Sequence, residues 1–223
     1  MAPKPTAVRV YDLIKENILS CVYEPGELLS EKEIVEAFNT SRTPVREALN
    51  TLSGEGLLDI LPKKGIQVSS LSPKKLREVY DLRLTLEPLS IKYALPYLKP
   101  EDIDHFNEID RVLRNSVRKE DVSTIFKAGM EYHLYLAKMS RNETLYTHLT
   151  MLRQESFRGL TYYLSSYIQR VPPDEKHDIL QLVGGGHAAI TKALEEKDLT
   201  TAMEAMKADL SSMNEVIGKV SLI

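Results

Sequence analysis

Apolar positions recur at helical spacing along most of the chain, and the places where that spacing fails divide it. Over 7–20, Val10, Ile14 and Ile18 form one stripe, which predicts a first helix. Glu24-Pro25-Gly26 turns the chain. A capping-box pattern, Ser30 with Glu33, then predicts a helix from Glu31, with Ile34, Ala37 and Phe38 on its inner face. Asn39-Thr40-Ser41 interrupts, and Ser41 or Thr43 can cap a second helix, in whose first turn Pro44 is tolerated. That helix buries Val45, Ala48, Leu49 and Leu52. After Gly54-Glu55-Gly56 the period changes from helical to alternating: LLDI and IQV read as two strands around the basic turn Pro62-Lys63-Lys64-Gly65.

Two short helices joined by a tight turn, followed by a two-stranded ribbon, describe a winged helix-turn-helix. An ordinary helical hairpin with solvated arginines would not call for the ribbon. The second helix opens with Ser41, Arg42, Thr43 and Arg46, groups suited to phosphates and base edges, and Lys63 and Lys64 stand at the tip of the wing.

Beyond the Ser69–Pro73 linker the pattern is helical almost to the end. Helices are predicted near 73–95, 100–117, 120–139, 142–168, 174–196 and 199–218, with Pro88 inside the first of them. The fold class is therefore mainly α: a winged helix-turn-helix over 1–70 followed by an all-helical antiparallel bundle over 71–223.

Three polar residues occupy apolar stripes of this bundle. His133 falls in line with Phe126, Met130 and Ala137, His187 with Val183, Ile190 and Leu194, and Asp209 with Ala202, Met206 and Met213. Burying even a neutral polar group without a partner costs roughly 2–7 kcal/mol, so the three are expected to meet in one interior cavity. Three glycines, 184–186, precede His187. They either break a helix just before His187 or let another backbone or a ligand come close. Arg83, Arg153 and Arg158 are candidate anchors for an acidic ligand, with Glu87 one turn from Arg83 as a structural counter-ion and solvation as the alternative for Arg153 and Arg158.

Composition narrows the function. The chain has 223 residues, 43% hydrophobic and 27% charged, with one cysteine, Cys21, which excludes an intrachain disulfide and fits a reducing cytoplasm. No apolar run approaches membrane-spanning length. Residues 1–70 hold eight Lys/Arg against ten Asp/Glu, so only local placement of Lys32, Arg42, Arg46, Lys63 and Lys64 can make a positive face. A nucleoid-type structural protein would want a broadly basic surface. A metal-dependent enzyme with an accessory DNA module would want a separate base beside its metal ligands, and no phosphate loop, Ser/His/Asp order or metal-protease signature is present.

The stretch PGELLSEKEIVEAFNTSRTPVREALNTLSGEGLL resembles the N-terminal domain of the GntR family of bacterial transcription regulators, in its FadR branch. The resemblance implies a dimeric, ligand-responsive regulator of a palindromic double-stranded DNA operator, with an effector-binding helical domain. It implies a phosphate contact for Lys32, recognition-helix contacts for Arg42, Thr43 and Arg46, and a wing-tip role for Gly65. In the helical domain it implies an effector pocket near His133, His187 and Asp209, lined by an arginine of the first helix, here Arg83; Arg153 is a candidate there on the sequence alone. Many members hold a divalent metal there with an Asp, a His four residues later and two further histidines. Here Gly129 takes the Asp position and Asp209 the last His position. No metal is required by this set, which reads equally as a buried His–Asp hydrogen-bond network or a metal-free effector pocket, and an ion such as Zn, Ni or Mn would have at most His133, His187 and Asp209 as protein ligands.

Overall fold

A computed structural model describes residues 6–62 and 65–220. The chain divides between Ser72 and Pro73 into two compact units.

The first unit is a winged helix. Helix α1 (Thr6–Leu19) packs its Val10, Ile14 and Ile18 stripe against the apolar face of α3 (Arg42–Gly54). Helix α2 (Glu31–Ala37) begins where the sequence indicated, but the Ser30 hydroxyl makes no capping hydrogen bond, nor does that of Ser41 at the start of α3. The α2 face also differs from expectation. Ile34 is buried and Val35 and Phe38 are half-buried against the core, whereas Ala37 is exposed. The helix lasts only seven residues, and Asn39 at φ +46° turns the chain before a second full turn of contacts can form.

Strands β2 (Leu58–Leu61) and β3 (Gly65–Val68) pair antiparallel, with Leu58 opposite Val68 and Leu61 opposite Gly65. A two-residue strand, β1 (Leu28–Leu29), was not foreseen and adds to the other side of β3, giving the order β1-β3-β2. Gly65 sits at φ +104°, where a side chain would be strained, and a Cβ there would lie 3.3 Å from the Leu29 carbonyl oxygen. Lys63 and Lys64 lie outside the described residues.

The second unit is helical: α4 (Pro73–Ala94), a 3₁₀ turn (Leu95–Tyr97), α5 (Pro100–Arg118), α6 (Val122–Met139), α7 (Glu143–Ile168), α8 (Pro173–Gly184), α9 (His187–Glu195) and α10 (Leu199–Val220). Local chemistry sets the boundaries. Proline stands at the first position of α4, α5 and α8, where no intrahelical N–H is needed. Asp121 and Asn142 cap α6 and α7 by accepting from Thr124 N and Leu145 N. Helix α4 continues through Pro88. The predicted helix 174–196 is divided in two at Gly185-Gly186. Among the described residues no helix is long and apolar enough to cross a membrane.

Candidate functional site

The polar start of α3 lies open to solvent. Ser41, Arg42 and Thr43 are exposed, and so is Arg46 one turn on. Arg46 Nε donates to Glu31 Oε2 at 2.9 Å, and Arg42 Nε lies 4.0 Å from Glu31 Oε1, so one carboxylate of α2 leans on both recognition-helix arginines. Lys32 is similarly tethered to Glu36, at 3.8 Å. Exposed pairs of this kind hold weakly and are screened by salt, which leaves the cations available to another anion.

In the helical unit the structure brings His133, His187 and Asp209 together from α6, α9 and α10. One ligand atom of each lies within 4.8 Å of the others. His133 Nε2 is 3.1 Å from His187 Nε2 and 3.4 Å from Asp209 Oδ2. The group borders a cavity of about 50 Å³ whose wall includes Gly129, Arg153, Ser156 and Phe157. That is room for about three or four water-sized groups. A Cβ on Gly129 would sit 3.7 Å from His187 Nε2, an ordinary contact, so this position leaves usable space beside the histidines.

Further buried polar groups stand behind His133. Glu87 of α4 is 1% exposed and receives groups from three helices. Its Oε1 accepts from Arg83 Nε at 2.7 Å, and its Oε2 takes Arg153 Nη2 of α7 and lies 2.7 Å from His133 Nδ1. The His133 contact has ion-pair distance but falls short of an aligned hydrogen bond. Arg83 also donates to Ser156 Oγ at 2.9 Å and packs its guanidinium 4.2 Å over the Tyr80 ring, so its donors serve the scaffold. Arg153 is buried too, and its Nε has no hydrogen-bond partner. Behind α9, Thr191 Oγ1 donates to Asp110 Oδ2 at 2.8 Å, and Tyr132 OH lies 2.9 Å from that same Thr191 oxygen.

The ionisation pattern follows from burial and neighbours. Burial alone would raise the Glu87 carboxyl, but Arg153, Arg83 and His133 outweigh it and hold it well below the usual range. Burial is likewise opposed at Asp209, where the two histidines and Arg153 bring the carboxyl down to about 2. His187 is pushed down to about 4, chiefly because its ring is cut off from water, and is therefore neutral at pH 7. Arg153 falls to about 10 through burial and the neighbouring Arg83. Asp110, with burial as the main cause, is raised.

Of the two roles expected for the glycine triplet the structure shows the helix break, and the close approach it shows is that of a side chain rather than of backbone or ligand. The helix is interrupted, and a Cβ on Gly186 would fall 2.2 Å from Asp209 Oδ1, so the carboxylate rests against bare backbone at the start of α9. Solvation of Arg153 and Arg158 is overturned. Arg153 joins the network around Glu87, and Arg158 is fully enclosed, because the face of α7 that carries them points into the unit. Glu87 was expected only as a partner for Arg83. Its link to His133 joins helices more than forty residues apart, and spacing along one helix cannot report that. Asp110, Tyr132 and Thr191 were missed, although Asp110 in a stripe with Phe106, Leu113 and Val117 was a visible signal.

A winged helix followed by an all-helical unit with a histidine–carboxylate cavity defines a bacterial transcription regulator with a ligand-binding domain. The family "Bacterial regulatory proteins, gntR family" matches residues 6–68, and the FCD domain matches 78–212. The chain belongs to the gntR family, in the group that carries an FCD domain, and is a ligand-responsive transcriptional regulator. It is 28% identical over 147 residues, 64% of each chain, to the uncharacterized HTH-type transcriptional regulator YdhC of Bacillus subtilis. It is 24% identical over 97% of its length, and 91% of the relative's, to the HTH-type transcriptional repressor RspR of Escherichia coli. The solved structure of E. coli McbR/YncC shares the fold, with a TM-score of 0.79, 21% identity and coverage of 97% and 98% of the two chains.

Proposed function

We propose that this regulator binds a palindromic operator as a dimer, one α3 per half-site, and that its cavity takes a divalent ion together with a small anionic effector. Ser41, Arg42, Thr43 and Arg46 face the major groove in this reading, Lys32 a backbone phosphate, and the wing at Gly65 with Lys63 and Lys64 the neighbouring minor groove. The local charge of one module is small, so two modules acting together supply the affinity.

The observation that carries the metal reading is the spacing of the three donors. Atoms bound at about 2.0–2.1 Å to a tetrahedral ion lie roughly 3.3–3.4 Å from one another. The His133–His187 and His133–Asp209 separations, 3.1 and 3.4 Å, fit that edge, while His187 approaches Asp209 through Nδ1 at 3.7 Å. With the Glu87 carboxylate beside Nδ1, a neutral His133 keeps its one proton on that nitrogen and turns the Nε2 lone pair to a second imidazole and a carboxylate. Three donor groups then border one space, where a small rotation of the His187 ring lets a cation meet them together. Two imidazoles and one carboxylate suit Zn, Ni or Mn with open positions, and such an ion, when bound, supplies a Lewis-acid anchor for an oxygen ligand.

Charge and space select the effector. The charges of Arg83 and Arg153 are cancelled by Glu87 and Asp209, so a divalent ion leaves an enclosed centre with excess positive charge that an anion relieves. Arg153 Nε, buried at the cavity wall, is a donor for that anion. The volume admits a carboxylate with a few further atoms and not a long chain. Coupling to DNA equals the effector's preference for one arrangement of the dimer, typically about 1–3 kcal/mol.

Zinc titration of the full-length protein tests the site. Gly129→Asp places a carboxylate one turn before His133 and should tighten binding, whereas His187→Ala should weaken it sharply. If Gly129→Asp gains nothing and His187→Ala keeps its zinc affinity, the metal reading is wrong.

A further inference from the structure

We infer that Glu87 is the positioning residue of the cavity: it holds His133 in the orientation and tautomer that turn the Nε2 lone pair inward. This rests on reading His133, His187 and Asp209 as cation ligands, and adds to it a residue that lines no part of the cavity itself.

The geometry gives Glu87 this role. The carboxylate lies behind His133, on the Nδ1 side, while Nε2 looks at His187 and Asp209. An imidazole can be set in two ways that differ by a ring flip, and in two neutral tautomers. Only one combination presents a lone pair inward while keeping a proton on the nitrogen beside the carboxylate. A carboxylate behind a ligating histidine fixes that combination and raises the basicity of the inner nitrogen. The partners of Glu87 hold it in place: Arg83 on its own helix, itself tied to Ser156, and Arg153 across on α7. Glu87 therefore joins α4, α6 and α7 at one carboxylate, and the His133 ring is oriented by two helices besides its own. His187 is placed differently. Its carbonyl accepts from Thr191 Oγ1 at 3.2 Å within α9, and its Nδ1 lies 3.7 Å from Asp209 Oδ1. The two rings share Asp209 and touch each other, but it is His133 that Glu87 meets, so a change at Glu87 acts on His133 first.

Two readouts on the full-length protein test this: zinc affinity, and the tautomer of His133 read from ¹⁵N shifts of selectively labelled histidine in the metal-free protein. In Glu87→Gln, zinc affinity should fall by about 10- to 100-fold, and His133 should lose its predominant Nδ1–H form. Glu87→Asp, which keeps the charge on a shorter arm, should restore part of the affinity. Because Glu87→Gln leaves two arginines without their counter-ion, the wild type and Glu87→Gln/Arg153→Met, which removes one charge of each sign, form a second pair in which the net charge of the cluster is conserved. The same loss and the same tautomer change should appear between those two. Zinc affinity within twofold of the respective parent in both pairs overturns the assignment, as does a wild-type His133 tautomer in a folded Glu87→Gln. Failure of the wild type to bind zinc overturns the metal reading alone, since the tautomer of the metal-free protein still reports on Glu87.

Discussion

The side chains of Arg42, Arg46 and Lys32 keep 71%, 64% and 76% of their exposure, while those of Arg83 and Glu87 keep 3% and 2%. The winged helix thus carries the charges proposed to meet DNA in water, leaning on Glu31 and Glu36, and the helical unit encloses those around its cavity. The difference follows from what each must meet. A duplex arrives with its own phosphates and displaces weak surface pairs, so solvated cations on a rigid helix are sufficient. A small ligand brings little binding surface, so its site has to be organised beforehand, and buried charge has to be cancelled within the fold before any ligand comes.

The largest test removes the solvated cations. Arg46→Ala and Arg42→Ala should each cost roughly 1–3 kcal/mol per base contact, and the dimer loses each contact twice. Fluorescence anisotropy with operator DNA should show this with unchanged thermal melting of the protein. An Arg46→Ala variant with wild-type operator affinity would show that α3 is not the reading element.

Acid should separate the two units. In the metal-free protein His187 titrates at about 4 when folded, against an ordinary value of 6.5. Its folded value is depressed, so the neutral ring contributes stability above pH 6.5 that is lost progressively as pH falls towards 4. The full loss is about 3 kcal/mol. Asp209 and Glu87, also depressed, add stability present above the unfolded carboxylate range and lost only at lower pH. All five histidines lie beyond residue 100, so the winged helix has no counterpart to the first loss. Urea melts at pH 7 and 5, followed by residue-resolved NMR, should show the helical unit weakening first. Equal weakening of both units would contradict the burial argument.

Lys32→Ala should give the smallest effect. As a phosphate contact it should weaken operator and random DNA alike and make the slope of log affinity against log salt shallower by about one per half-site. Selective loss of operator binding would instead place Lys32 on a base.

The fold could be read from the sequence wherever one element carried its own signal. The α1 stripe, the α3 face and the proline-led helices were of this kind, since local spacing alone decides them. What escaped depended on pairing between distant segments. Strand β1 is two residues long and exists only because β3 lies beside it. The convergence of His133, His187 and Asp209 was legible because each stood alone on an apolar stripe. The enclosure of Arg153 and Arg158 was not, because a long charged side chain on α7 reads the same whether its face meets water or Glu87. The unused hydroxyls of Ser30 and Ser41 show the opposite case, a local signal that the fold leaves unmade.

Asp209 stands between two spaces. Its side chain borders the inner cavity on one side and, on the other, an outer groove between α8, α9 and α10, with Gly186 lining that groove. In the proposed reading the carboxylate that would hold the cation is therefore also part of the groove wall, and it rests there against backbone that carries no side chain. Whatever occupies the groove shares that oxygen-bearing group with whatever occupies the cavity.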